Sequence, residues 1–239
     1  MTSPRLARFS REDFIKRVWE HKPGEHTTII GPTGSGKSTL GYQLFNRSVS
    51  VKRPGVAVLT KPRDAATSKA ASAGRLRTVR TWPPRRSLFE PKPPRGHVLH
   101  PRFTYDEELD LEEHARQVRA VLADAYKNGD RIVYLPDLYG VLRLMPTLAR
   151  PVEIMWINAR SNGASMWTDS QKATHIPLLA FNQATHLLLF RDPDKRGRER
   201  FGEISGMDPK LVEQANLSLG RHEALYVRQT DGTMCVVEA

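Results

Sequence analysis

The sequence predicts an α/β fold: a doubly wound, mostly parallel sheet flanked by helices, with a C-terminal β-hairpin. Short β-branched or apolar runs alternate with segments of helical spacing from about residue 26 onward, the alternation that builds parallel sheets. The runs at 55–60 and 131–135 are apolar almost throughout, as strands covered on both faces must be. One strand-to-helix junction carries Gly31-Pro32-Thr33-Gly34-Ser35-Gly36-Lys37-Ser38-Thr39, which fits G-x-x-x-x-G-K-[ST].

That junction organises the rest. His26 to Ile30 is short and β-branched and reads as a strand, and Leu40, Leu44 and Phe45 stand at helical spacing after the loop. Gly34 and Gly36 permit a backbone in which successive N–H groups converge on a phosphate. The helix that starts near Lys37 adds its positive dipole end. Lys37 is expected to reach the β- and γ-phosphates, and the Ser38 hydroxyl to hold Mg²⁺. Residues 31–39 are therefore the candidate ATP-binding segment, and the fold expected is that of a P-loop NTPase.

The chain has 239 residues, enough for one α/β domain with a substantial core. Residues 1–25 are expected to supply a packing helix, and 75–105 a basic, proline-rich insertion within the domain. The single cysteine, Cys235, allows no intrachain disulfide and reads as a small core residue. No apolar run approaches the length of a membrane span, and no secretory leader is evident, so a soluble, cytoplasmic protein is expected. The formal charge is +11 and the isoelectric point about 10.0, most of it from arginine. Such a bias in a nucleotide-binding chain favours a polyanionic partner, although the base composition of the source genome can produce the same excess.

Ser10, Glu12 and Asp13 start a helix whose apolar face is Phe14, Ile15, Val18 and Trp19, stopped at Pro23-Gly24. The strand at 55–60 ends in Lys61 and Arg63, at the edge where ligands bind in open sheets. From Arg75 to Arg102, eight basic residues face one acid, Glu90, among six prolines. Short strands fit 78–82 and 96–100, and Trp82 and Phe89 are available to stack on bases if the segment tracks a phosphate backbone. A solvated insertion is the plainer alternative. Asp106 to Asn128 is a helix with Leu111, Ala115, Val118, Leu122 and Ala125 on one face and acids in its first turns.

The strand 131–135 ends in Pro136-Asp137. A phosphate-binding loop needs an acid there to order the metal shell, which makes Asp137 the Walker B candidate and, with Ser38, the candidate metal site. A helix opened by Pro151 runs to Asn158-Ala159-Arg160, and a turn at 161–163 leads to a strand at 164–168. Polar Asp169-Ser170-Gln171-Lys172 follow at its end, where Gln171 is placed to sense the γ-phosphate or merely to shape a turn. A strand at 185–190 leads to a charged loop, 191–198. Pro209 opens a late helix, and strands 223–228 and 233–237 pair across Asp231-Gly232.

The order of these motifs resembles that of the FtsK/HerA-like P-loop ATPases of the ASCE class, a group that includes DNA translocases and viral genome-packaging motors. The resemblance covers roughly residues 26–228, and its most telling part runs from Ala159-Arg160-Ser161-Asn162-Gly163 to Ser170-Gln171-Lys172. By that resemblance, Arg160 is an arginine finger directed to a neighbouring subunit's nucleotide, Gln171 is the sensor glutamine, and the assembly is a hexameric ring. This chain departs from the pattern where adjacent Asp-Glu is usual. Either Asp137 takes the metal role and no catalytic Glu exists, or Asp137 stands at the Glu position and Pro136 has replaced the metal acid. Lys172 and Ala173 also stand where Arg-Pro is common.

The function expected is a Mg²⁺-dependent, oligomeric ATPase acting on nucleic acid, with DNA favoured though the sequence itself does not distinguish it from RNA, as a translocase or packaging-type motor. Its catalytic residues would be Lys37, Asp137, Gln171 and Arg160. One alternative is a weakly hydrolysing, nucleotide-dependent switch or adaptor on nucleic acid. Another is a small-molecule kinase, for which 191–200 would serve as a lid.

Overall fold

The computed structural model describes residues 6–84 and 93–239. After a short strand, β1 (Ala7–Phe9), Ser10 caps helix α1 (Arg11–Asp13) by accepting the Asp13 N–H at 3.1 Å. A π turn over Phe14–Val18 continues α1 and leaves Phe14 and Trp19 buried. The strand β2 (Thr27–Ile30), buried at all four positions, leads through the glycine-rich loop into α2 (Lys37–Ser48). Next come β3 (Gly55–Val58) and α3 (Ala65–Gly74), which Asp64 caps through the Thr67 N–H at 3.0 Å. Two short strands follow, β4 (Arg77–Val79) and β5 (Gly96–Leu99).

The long helix α4 (Glu107–Asn128) is capped by Asp106 and opens with Glu107, Glu108 and Asp110, charges that suit its positive end. Then come β6 (Ile132–Leu135), α5 (Leu138–Leu144), α6 (Ala149–Asn158) and β7 (Ser165–Ser170). The chain finishes with α7 (Leu178–Asn182), β8 (His186–Phe190), α8 (Lys195–Ile204), α9 (Pro209–Ser218), β9 (Ala224–Arg228) and β10 (Thr233–Val237).

The strands form one ten-stranded sheet in the order β1-β10-β9-β8-β2-β7-β6-β3-β5-β4. Every neighbour from β8 to β4 is parallel, so the expected doubly wound sheet is present. The hairpin β9–β10 adds antiparallel to β8, and β1 lies parallel to β10. Alternate residues of each central strand face opposite layers. Ile29, Ala57, Ile132, Tyr134 and Trp167 pack with Phe14, Leu40 and Phe45 on the side of α1 and α2. Ile30, Val58, Val133, Leu135 and Met166 pack with Val118, Leu148, Val152 and Phe201 on the side of α4, α6 and α8. Because β7 separates β2 from β6, the strand that carries the loop does not touch the strand that ends at Asp137.

At the amino ends of these strands lies a buried aromatic and histidine cluster. Trp167 Nε1 donates to His21 Nε2 at 2.9 Å, and Met166 N–H donates to His26 Nδ1 at 2.9 Å. His186 sits between Glu25 Oε2 at 3.0 Å and the Tyr226 hydroxyl at 2.9 Å. Burial lowers the pKa of all three histidines, that of His26 to about 4 with the help of the Arg160 charge. A neutral His186 therefore donates from Nε2 to Glu25 and accepts the Tyr226 hydroxyl proton at Nδ1.

Several expectations change. Trp82 is buried, its backbone N–H donating to Gln117 Oε1, so its ring is core and not a stacking platform. The strands β4 and β5 extend the sheet itself, so the basic segment is built into the fold at both of its described ends. Phe89 and residues 85–92 lie outside the described residues. The charged stretch after β8 becomes helix α8 from Lys195 onward, packed against α9 with Phe201 fully buried. β7 runs two residues beyond its expected end and takes in Asp169 and Ser170. Cys235 is buried, and burial raises its thiol pKa to about 11, as suits a core residue.

Candidate nucleotide site

The loop 31–36 leaves the carboxyl end of β2 and is fixed on both sides. Gly31 N–H donates to Ser170 O at 3.1 Å, and a Cβ on Gly31 would stand 2.7 Å from Phe190 Cβ and from Ser35 Oγ. No larger residue fits between Phe190 of β8 and the loop's own Ser35. Gly36 takes φ +98 as the N-cap of α2 and offers that helix no side-chain partner. The first N–H groups of α2 therefore face outward without an internal acceptor, which is the arrangement that binds phosphate. His222, on the turn between α9 and β9, places Nδ1 3.0 Å from the Ser35 carbonyl. A peptide's C=O and N–H point in opposite directions, so this bond turns the Gly36 N–H away from His222 and toward the cradle.

Beside the loop is a cleft with about 410 Å³ of open space, lined by Lys37, Ser38, Thr60, Lys61, Asp64, Pro136, Asp137, Asp169 and Gln171 among others. Four of the sequence candidates thus meet in one place: Lys37, Ser38, Asp137 and Gln171. Lys61, at the end of the β3 segment, reaches it too, whereas Arg63 does not line it.

Asp137 adopts a left-handed backbone, φ 53 and ψ 52, and caps α5 with its carboxylate 3.4 Å from the Gly140 N–H. Such a conformation is sterically costly for most residues but open to aspartate. The side chain is half-buried and held by one long contact.

Asp169 stands inside β7 and was not among the candidates. Its carboxylate accepts the Tyr134 hydroxyl at 2.8 Å on Oδ2 and the Asp137 N–H at 3.1 Å on Oδ1. Burial pushes its pKa up, against the Tyr134 hydrogen bond and the Lys37 charge, which favour the ionised form. One hydroxyl and two carboxylates around a single cleft form the hard oxygen set that magnesium takes, so the residues present fit the expected metal.

Arg160 is elsewhere. It is exposed in the 3-10 turn Ala159–Asn162 that precedes β7, at the opposite end of that strand from Asp169 and Gln171. A Cβ on Gly24 would stand 2.6 Å from the Arg160 carbonyl, so the turn is packed on the loop before β2. The structure separates Arg160 from its own chain's cleft.

No protein-family model matches the chain, and no curated protein is similar to it in sequence. Its fold is shared with solved ATPases. One is B204, the DNA-packaging ATPase of Sulfolobus turreted icosahedral virus, with a TM-score of 0.61 at 13% identity over 91% of this chain and 98% of that one. The genome-packaging NTPase B204 of Sulfolobus turreted icosahedral virus 2, in complex with ATP-gammaS, has a TM-score of 0.59 at 14% identity over 91% and 98%. The cytoplasmic domain of the type VII secretion ATPase EccC of Thermomonospora curvata has a TM-score of 0.53 at 15% identity, over 94% of this chain and 26% of that one. At such identities the likeness establishes the fold, that of a P-loop NTPase.

Proposed function

We propose that the protein is a nucleotide-dependent ATPase that acts on DNA as an oligomer, in the manner of a translocase or packaging-type motor. One observation carries this reading: a single cleft at the carboxyl edge of the sheet gathers the loop's Lys37 and Ser38 with Asp137, Asp169 and Gln171. The loop amides and Lys37 bind the phosphates. Ser38 and the carboxylates that line the same cleft would hold magnesium, which when bound offsets charge on the phosphate oxygens. Gln171, exposed at the rim, meets the γ-phosphate. Arg160 acts on the nucleotide of an adjoining copy. DNA enters the reading through the +11 charge and through the B204 proteins, which the fold resembles. Among the described residues no helix is long and apolar enough to cross a membrane.

The test is ATP turnover with and without duplex DNA at two salt concentrations, beside the Asp137→Ala variant. Turnover that DNA stimulates, and stimulates less as salt rises, supports the motor; loss of turnover in the variant places the acid. Pro136-Asp137 motivates the rival switch or adaptor, for which purified protein with DNA would hydrolyse ATP no faster than background. A kinase requires turnover that depends on a small acceptor and ignores DNA, and the segment offered as its lid is packed helix.

A further inference from the structure

We propose that the carboxylate on the magnesium side of this site is Asp169, supplied by β7, and that Asp137 stands on the outer side, at the attacking water. This rests on the hydrolysis reading above and divides the acids within it.

The sheet order comes first. β7 is hydrogen-bonded directly to β2, with Asp169 opposite Ile29, whereas β6 is one strand farther from the loop. Depth comes second. Asp169 shares the face of Trp167, two residues back, which packs under α2. The Tyr134 hydroxyl that binds Asp169 lies where a Cβ on Gly41 would be 2.6 Å away. Gly41 is one turn beyond Ser38, so the carboxylate sits beneath the first turns of the phosphate-binding helix.

The third observation concerns the missing acid. Asp169 Oδ1 accepts the Asp137 N–H, which places the carboxylate against the peptide joining Pro136 to Asp137. On the register in which Asp137 stands at the Glu position, that is where Pro136 has replaced the metal acid. A carboxylate has about four acceptor positions; two are used in fixing Asp169, and two remain. Asp137 has the opposite character: left-handed, half-buried and loosely held. The inner acid is held by two hydrogen bonds, at 2.8 and 3.1 Å, and the outer one by a single contact at 3.4 Å. In hydrolysis the water oxygen bonds to the γ-phosphorus as the bond to the β–γ bridging oxygen breaks. That bond's electron pair leaves with ADP, and the water's proton passes to Asp137 and then to solvent.

The experiment compares ATP affinity in magnesium and in EDTA for the full chain and for Asp169→Asn and Asp137→Asn, with turnover measured alongside. Asparagine at 169 keeps the shape and can accept the Asp137 N–H while donating to Tyr134. Asp169→Asn is expected to lose at least about 10–100-fold in magnesium-dependent affinity, the loss that removing even an outer-shell partner of a metal ligand causes. Asp137→Asn is expected to keep the magnesium increment and lose turnover. The reverse pattern overturns the assignment while leaving the ATPase reading intact; a wild-type chain that shows no magnesium increment defeats the reading beneath it. A second measurement needs no variant. Ferrous iron replaces magnesium with ATP bound, and ascorbate and peroxide are added to cut the backbone beside the metal. Cuts at 168–170 and near Ser38 support the inference; cuts near Ser38 and at 136–138 alone overturn it.

Discussion

Replacing Arg160 by alanine separates two ways in which an arginine serves a nucleotide. The turn that holds Arg160 precedes β7, and Gln171 follows it. β7 has six residues, so at ~3.3 Å per residue its ends lie about 17 Å apart, and Arg160 is five positions before the strand begins. No arginine side chain covers that distance, so within one chain Arg160 cannot touch the phosphates that Lys37 binds. The variant should bind ATP as the wild type does and lose ~10³–10⁵ in turnover, the usual contribution of a finger supplied in trans. Equilibrium binding of a fluorescent ATP analogue and steady-state phosphate release measure the two terms. Mixing adds a sharper readout. Arg160→Ala keeps its loop and Lys37→Ala keeps its arginine, so a random equal mixture restores roughly a quarter of the head-to-tail interfaces. A large loss of ATP affinity in Arg160→Ala, or no recovery on mixing, refutes the reasoning.

Three further outcomes follow from particular contacts. His222→Gly removes the hydrogen bond to the Ser35 carbonyl without straining a residue at φ 66 and should weaken ATP binding by the net value of one hydrogen bond, about 0.5–1.5 kcal/mol. His222→Asn, which tolerates that backbone and keeps a donor, should recover most of it in the same titration. Gly41→Val forces a side chain against Tyr134 Oη and Ile29 Cδ1, at 2.6 and 2.9 Å from a Cβ, and should cost about 1–3 kcal/mol by overpacking while pushing Tyr134 off Asp169; calorimetry and turnover report both. Stability should fall as pH drops through the range from 6.5 toward 4. His26 has a folded pKa of about 4 against 6.5 unfolded, so in that window the unfolded chain binds more protons and stability rises with pH. His21 and His186 are shifted in the same direction, and each contributes up to about 1.4 kcal/mol per pH unit. Melting temperatures that stay flat across this range would show the cluster to be protonated in the native state.

The parts of this protein legible from sequence are those whose chemistry is local. The loop 31–39 announces itself because one short stretch holds its glycines, lysine and hydroxyl, with a strand before and a helix after. Asp137 is proposed by the same logic, as an acid at a strand's end, and it lines the cleft beside the loop. Asp169 was passed over because an acid within six buried residues reads as a strand's trailing edge; only the placing of β7 beside β2 shows what it faces. His222 carries no local signal, since its partner is 187 positions away. Trp82 misled because aromatic and arginine residues together suggest stacking, whereas α4 covers it through Gln117. Helix α3 escaped because its buried residues, Thr67, Ala70, Ala71 and Gly74, are too small to show an apolar period. Pro193 and Gly197 disguised the start of α8, where Asp194 caps the helix by accepting the Arg196 N–H at 3.1 Å.

The position of β2 has a consequence for synthesis. Thr27 pairs with Trp167 on one side and His186 on the other, so the strand that launches the phosphate cradle emerges from the ribosome long before either sheet neighbour exists. At ~5–20 residues per second it waits many seconds with both apolar faces bare. Nucleotide cannot brace the growing chain during that interval, because the loop's own supports, Ser170, Phe190 and His222, are translated last. The cradle is read out early and assembled late, and whatever shelters β2 in the meantime must release it without help from ATP bound there.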